Sequence, residues 1–384
     1  MHELVITGGT LVDPAANMHA RRDIAFANGK VSEISEWIDP KQATVSINAS
    51  GKLVVPGLID VHVHVYEGVS HLGINADHTC LAHGATTVVD AGSAGADTFN
   101  GFRKYVIETS ATRIIAHLNI SSMGMLAMEV GELDDIKWAS VPKALATIEQ
   151  NRDLILGVKV RLTRNSIVGE AAGLQPLFLA REAADAAGLP IMIHPQDSWA
   201  ESLDQVLAVL RAGDMVTHMY HGHRHGILDE NGRIQRSVRD ARERGVLFDV
   251  GHGEGSFSWE VCEQALSQDF TPSTISSDLH HYNVNGPVHS LMTTVAKFLH
   301  LGMPLDDALA RVTSTPAEVI GRVGELGTLK IGAEGDAVVI DAQEGSFPYQ
   351  DSSRIVRKGN LRLVPTDVIK AGVRYEENAH AHHR

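Results

Sequence analysis

The chain has 384 residues, 43% of them apolar, and a formal net charge of −14. That length allows one large domain with an appendage, or two domains, with a sizeable core. The negative balance, without a long basic block, excludes nucleic acid and anionic membranes as natural partners and leaves small molecules.

No apolar run reaches eighteen residues, and the opening MHELVITGGTLVDP lacks the pattern of a signal peptide, so a cytoplasmic protein is expected. Two cysteines, Cys80 and Cys262, offer neither a disulfide framework nor a CxxC metal knuckle. The oddity is 21 histidines, three of them in the tail AHAHHR, which reads as a disordered end.

In chain order, residues 1–55 carry short β-like runs, ELVITGGTLVD, DIAFANGKVSEI and ATVSINASGKLVV, broken by glycine and Asp-Pro. Residues 56–322 alternate apolar runs with amphipathic stretches such as LQPLFLAREAADAAG. The apolar runs are GLIDVHVHV, ATTVVDAG, TRIIAHLNI, LILGVKVRL, LPIMIH, DMVTHMY, GVLFDVG and TPSTISSD. Eight such units suit an α/β fold of the (β/α)8, or TIM, barrel type. Residues 323–384 return to β-like runs, GELGTLKIGAEGDAVVIDA and RIVRKGNLRLV, followed by the tail. Neither end buries enough apolar surface alone, so both are expected to share one small β-sandwich. A doubly wound open sheet is the rival, but GGTLVD and GSAGADTF do not make the GxGxxG turn that dinucleotide binding needs.

Strand C-termini face the active site of such a barrel. There the sequence places His62, His64, Lys159, His194, His218 and Asp278. His62 and His64 are two apart and share one side of a strand. Imidazoles and a carboxylate converging from several strands would leave polar atoms unpaired unless they hold metal. The donors suit zinc, and also manganese, iron or nickel. Four histidines and an aspartate exceed one tetrahedral zinc, which implies two divalent ions and a bridging anion. Lys159 sits within the aliphatic run LILGVKVRLT, where a charge is costly. Held as a neutral amine, it can add carbon dioxide and become a carbamate able to bridge two ions.

These residues resemble the amidohydrolase superfamily, over essentially the whole chain. PGLIDVHVHV is similar to its first-strand signature, and terminal β-pieces flanking a barrel match its architecture. The resemblance implies that His62 and His64 hold the more buried metal, that carboxylated Lys159 bridges, and that His194 and His218 hold the second metal. Asp278 would be both ligand and acid/base. Within the superfamily, GINADHTCLAHGATTVVDAGSAG, NISSMGM and FDVGHGEGSFSW resemble dihydroorotase-like deacetylases acting on N-acyl D-amino acids and acylated 2-hydroxy acids. True dihydroorotases carry HxHxR; here HVHVY puts Tyr66 in the arginine's place. A tyrosine cannot form a bidentate charged pair with a carboxylate.

The expected reaction is attack of a metal-bridging hydroxide on an acyl carbonyl, with Asp278 moving the proton. Two ions, a carbamate, Asp278 and hydroxide leave a formal surplus of one positive charge for the developing oxyanion. Arg161 shares the inward side of Lys159 and is a candidate for a substrate carboxylate or an outer acid. His252 is a further substrate candidate. His221, His223, Arg224 and His225 in YHGHRHG belong to the mouth or to a solvated loop, and Trp259 and Cys262 read as packing. Cyclic-amide hydrolysis, as in hydantoinases and dihydroorotases, is the alternative activity; a non-catalytic relative should have lost ligands, and none is lost. A small-molecule substrate and a homo-oligomer are expected.

Overall fold

The computed structural model describes residues 1–165 and 167–376; the histidines of the AHAHHR tail lie outside that range. Three sheets organise the chain. The strands Leu58–Val63, Ala85–Gly95, Arg113–Asn119, Ile155–Arg161, Ile191–His194, Met215–Val216 and Leu247–Phe248 pair in sequence order, all parallel. Their near-continuous burial is what helices on the outside of a parallel sheet require.

The eighth run, TPSTISSD, is not a regular strand. It closes the ring all the same. Val250 N donates to Thr274 O and Gly253 N to Ser277 O on one side, while Asp278 N donates to His62 O and His64 N to Leu279 O on the other. Side-chain bonds compete with the ladder here: Thr274 and Ser276 donate to Asp249, and Ser277 donates to Asp60.

Inside the ring Ile59, Val61, Val89, Ala91, Ile115, Met192 and Met215 form a plug, closed by Ala317 and Ile320. The first strand carries a one-residue bulge between Asp60 and Val63. That shift lets Ile59 and Val61 below it, and His62 and His64 above it, all serve the interior. Re-aiming a side chain in this way is a common use of a bulge beside an active site.

The remaining sheets draw on both termini. Strands Lys30–Ser35, Asp23–Ala27, His2–Thr7 and Ala43–Asn48 form one. The other runs Val373–Arg374, Val356–Lys370, Ala337–Gln350, Leu53–Pro56, Thr10–Asp13, Met18–Arg21. Leu4, Ile6, Leu11, Ile24, Phe26, Val54, Val339 and Ile369 pack between them. ELVITGGTLVD, which reads as one β-like piece, is two strands that change sheets at Gly8-Gly9. Ala337–Gln350 and Val356–Lys370 are long enough to continue past the sandwich as a hairpin whose tip reaches the barrel mouth.

Candidate metal centre

The first strand delivers His62 and His64 to the mouth, and the irregular eighth segment delivers Asp278 beside them. Asp278 Oδ1 lies 3.3 Å from His62 Nε2 and 3.2 Å from His64 Nε2. His194 and His218 follow with ring centroids 4.3 Å apart, and His218 lies 5.0 Å from the His62 ring. Donor atoms of His62, His218 and Asp278 all fall within 4.8 Å of one another. His218 and Asp278 both adopt left-handed backbone, with φ of 63° and 48°. Non-glycine residues seldom do so without a functional constraint.

The far nitrogens of the rings are spoken for. His62 Nδ1 lies 2.8 Å from the Thr217 hydroxyl, which itself donates to Asp249 Oδ2 at 2.8 Å. With that hydroxyl proton committed to a carboxylate, His62 carries its own proton on Nδ1 and keeps a lone pair on Nε2. His64 Nδ1 meets Ser93 Oγ at 2.9 Å, and His218 Nδ1 donates to Gly251 O at 2.6 Å. His194 turns Nε2 to Thr163 Oγ1 at 3.2 Å, leaving Nδ1 as its free donor. Burial drives His62, His194 and His218 well below the usual histidine range and His64 to about 3, so all four are neutral.

Asp278 Oδ1 accepts no hydrogen bond among the described residues, although two imidazole nitrogens surround it. An acceptor facing two lone pairs has the chemistry of a cation site. The donor set therefore fits divalent metal on structural grounds. Burial also lifts the Asp278 carboxyl to about 6.

Lys159 is fully buried, and burial brings its ammonium down to about 8. It forms no salt bridge among the described residues; its Nζ contact is Met192 Sδ at 3.5 Å. Gly92 gives it room: at φ +84°, a Cβ there would stand 2.6 Å from Lys159 Cβ.

A cavity of about 300 Å³ opens over these groups. Arg161 lines it, paired through Nη1 with the buried Glu132 at 3.2 Å, while its Nε has no partner among the described residues. Tyr66 and His252, expected at the substrate, do not line this cavity. The Tyr66 hydroxyl donates to Thr98 O and its ring packs against Phe102 at 4.7 Å. An aromatic body that large gains more from the core than from the mouth. His252 is held behind the wall, stacked on Phe257 at 4.5 Å and hydrogen-bonded to Lys297. The loop bearing His221, His223, Arg224 and His225 also stands off the cavity; His223 bonds Gly255 O.

Sequence reasoning missed His71, His280, Tyr282 and Glu254, which line the same space as Leu72, Met125 and Met128. His280 follows Asp278 at the same two-residue step as His62 and His64, a spacing that would have singled it out. Met125 and Glu254 lie inside NISSMGM and FDVGHGEGSFSW.

A parallel barrel with imidazoles and a carboxylate gathered at its C-terminal mouth is the architecture of a metal-binding barrel hydrolase. The chain belongs to the amidohydrolase family, whose model matches residues 53–374. A deacetylase of Agrobacterium fabrum is 35% identical over 327 residues, covering 85% of this chain and 79% of that protein. A crystal structure described as an adenine deaminase superposes with a TM-score of 0.89 at 30% identity, over 98% of this chain and 100% of that one. A dihydroorotase structure gives 0.87 at 31% identity, over 97% and 98%.

Proposed function

We propose that the chain is a binuclear metal-dependent deacetylase that removes the acyl group of an N-acyl amino acid or an acylated 2-hydroxy acid. The observation that carries this reading is Asp278 Oδ1, unpartnered between the Nε2 atoms of His62 and His64. His62 and His64 would hold one ion, His194 and His218 the other, with Asp278 as a further ligand. Lys159, carboxylated by carbon dioxide, would span the two. That role suits a buried lysine that forms no salt bridge among the described residues and whose Nζ contact is a thioether. Zinc is the first choice of metal; manganese, iron and nickel are compatible with the same donors.

The chemistry that divalent ions held by these residues would supply is polarisation of the acyl carbonyl and hydroxide at neutral pH. The protein does the rest. Asp278 takes the proton released during attack and returns it to the departing nitrogen or oxygen. Thr217, Ser93 and the Gly251 carbonyl keep the rings in the tautomer that presents Nε2. Arg161, which lines the cavity, would donate to a substrate carboxylate, with Glu132 balancing its charge in the absence of one. Leu72, Met125 and Met128 offer apolar surface to a side chain or acyl group.

Cyclic-amide hydrolysis is the second reading, favoured by the likeness to a dihydroorotase structure. Against it stands Tyr66, which replaces the arginine of HxHxR and points into the core. Metal-loaded enzyme screened on N-acyl D- and L-amino acids, acylated 2-hydroxy acids, hydantoins and dihydroorotate separates the two. Exclusive turnover of the cyclic amides would overturn the deacetylase reading. A cytoplasmic homo-oligomer is the accompanying proposal, read by sedimentation; no helix among the described residues is long and apolar enough to cross a membrane.

A further inference from the structure

A second lysine is as buried as Lys159 and lies outside the cavity. Lys297, on the helix Leu291–His300, is 0% exposed and directs its ammonium at three acceptors. They are His252 Nε2 at 2.6 Å, Pro287 O at 2.9 Å and Gln350 O at 2.7 Å. Three protons meet three acceptors from three separate segments. Two of those segments matter to the site. His252 begins the loop that supplies Glu254, Gly255 and Ser256 to the cavity wall. Gln350 ends the first arm of the C-terminal hairpin.

The hairpin tip grips the same loop at further points. Phe257 N donates to Ser352 Oγ and Ser352 N to Phe257 O, both at 2.9 Å. Trp259 N donates to Asp351 Oδ2 at 3.3 Å, and Trp259 Nε1 to Ile355 O at 3.0 Å. Arg354 reaches Glu254, a residue of the wall itself, at 3.2 Å. The loop also backs the carboxylate: a Cβ on Gly253, at φ +55°, would stand 2.4 Å from Asp278 Oδ2. Its backbone therefore has little freedom to shift without moving the site. His252 transmits the restraint, since its Nε2 accepts from Lys297 while its Nδ1 donates to Gly253 O at 2.9 Å.

We propose that Lys297 is a positioning residue that ties the tip of the C-terminal hairpin to the loop 252–256, so that the β-sandwich's hairpin sets the shape of the substrate wall. The proposal rests on the reading of that cavity as the substrate site. A simple structural staple would lower stability without touching substrate affinity. A clamp on the wall has a different signature: KM moves while the metal ligands, held by other strands, stay filled.

The test is Lys297→Met, close in volume but without donors, in the metal-loaded full chain. KM for an acylated acid should rise about tenfold, with kcat within about twofold and metal content unchanged. Hydrogen exchange of the metal-loaded protein should speed up together in 252–259 and 350–355. Ser352→Ala, which removes one hydrogen bond from the tip, should act in the same direction by about threefold in KM, and it decides the matter alone if Lys297→Met does not fold. A folded Lys297→Met with wild-type KM, or faster exchange confined to 291–300, overturns the proposal. So does loss of metal with KM unmoved. Should the parent enzyme turn over no acyl substrate, the deacetylase reading fails instead, and the joint exchange of the two segments still tests the clamp.

Discussion

Replacing Lys159 by alanine distinguishes a carbamate bridge from a structural lysine. A fall of its ammonium from 10.5 to about 8 corresponds to a charging penalty of about 3 kcal/mol in the metal-free fold. The sign follows from linkage. Between pH 8 and 10.5 the unfolded chain keeps a proton that the folded chain gives up, so this lysine's contribution to stability rises with pH, and the penalty is full below pH 8. Alanine removes the penalty and also removes about three buried methylenes, each worth about 0.8 kcal/mol. The two nearly cancel. Metal-free Lys159→Ala should therefore unfold within about 1 kcal/mol of the parent at pH 7. A lysine paired with a buried acid would instead cost about 3 to 5 kcal/mol on removal.

The metal-loaded variant should behave differently, losing metal and turnover together. Formate, acetate or propionate can occupy the vacated space and bridge with two oxygens, restoring part of both, whereas chloride offers one atom and should not. The assays are urea unfolding of the metal-free pair, and elemental analysis with turnover of the loaded pair, each with and without added acid. A variant that holds two metals at full turnover without acid refutes the reasoning, as does a metal-free loss of 3 kcal/mol or more.

Elemental analysis of parent protein prepared with zinc or manganese and bicarbonate should approach two equivalents per chain; a ceiling of one at full activity would define a mononuclear site. Asp278→Asn should retain the fold, lose about 10²- to 10⁴-fold in kcat, and lose the acidic limb of the pH–rate profile; near-normal kcat would put the proton on another residue. Arg161→Met strands the buried Glu132 carboxylate, so the informative variant is Arg161→Met with Glu132→Gln. Its KM should rise far more for an acylated acid than for the methyl ester, and equal losses would confine Arg161 to balancing Glu132. Gly92→Ala forces a Cβ into the Lys159 stem from left-handed backbone, and should cost about 1 to 3 kcal/mol in urea unfolding together with metal occupancy. Full metal retention there would show that the lysine has room to move.

The parallel barrel was legible because burial on both faces writes aliphatic runs into the sequence. The eighth segment was legible as a position and not as a strand: Thr274, Ser276 and Ser277 spend their hydroxyls on Asp249 and Asp60, a tertiary contact that periodicity does not encode. The convergence of His62, His64, His194, His218 and Asp278 could be read because strand ends meet at one place in a barrel. What the sequence hides is direction. HVHVY puts His62, His64 and Tyr66 at equal steps, yet the strand ends at Val63 and Tyr66 turns to Phe102. His252 follows a strand end as His218 does, but His252 finds an acceptor role against Lys297, a residue 45 positions on.

Burial alone does not decide what a buried lysine is for; the acceptors around it do. In LILGVKVRLT the flanking residues are aliphatic, the close contact is a thioether, and the opposing strand offers a glycine, so an ammonium there has nowhere to place its protons. Burial brings that ammonium down to about 8, which leaves a share of neutral amine near neutral pH, and its free lone pair is what reacts with carbon dioxide. In LMTTVAKFLH the local sequence reads as an ordinary amphipathic helix, with lysine at a position any solvated face would tolerate. Its three acceptors come from residues 252, 287 and 350 and surround the side-chain nitrogen, although burial as deep as that of Lys159 brings its ammonium down to about 7. The same side chain thus becomes a candidate metal bridge where acceptors are missing and a candidate clamp where they are complete. Exchanging the environments should exchange the chemistry: Met192→Gln, which sets an amide oxygen beside Lys159 Nζ, should hold the ammonium charged and lower carbamate and metal occupancy together. Mass of the lysine in the native protein and metal content read the outcome, and a Met192→Gln protein with both unchanged would show that acceptor supply does not govern the modification.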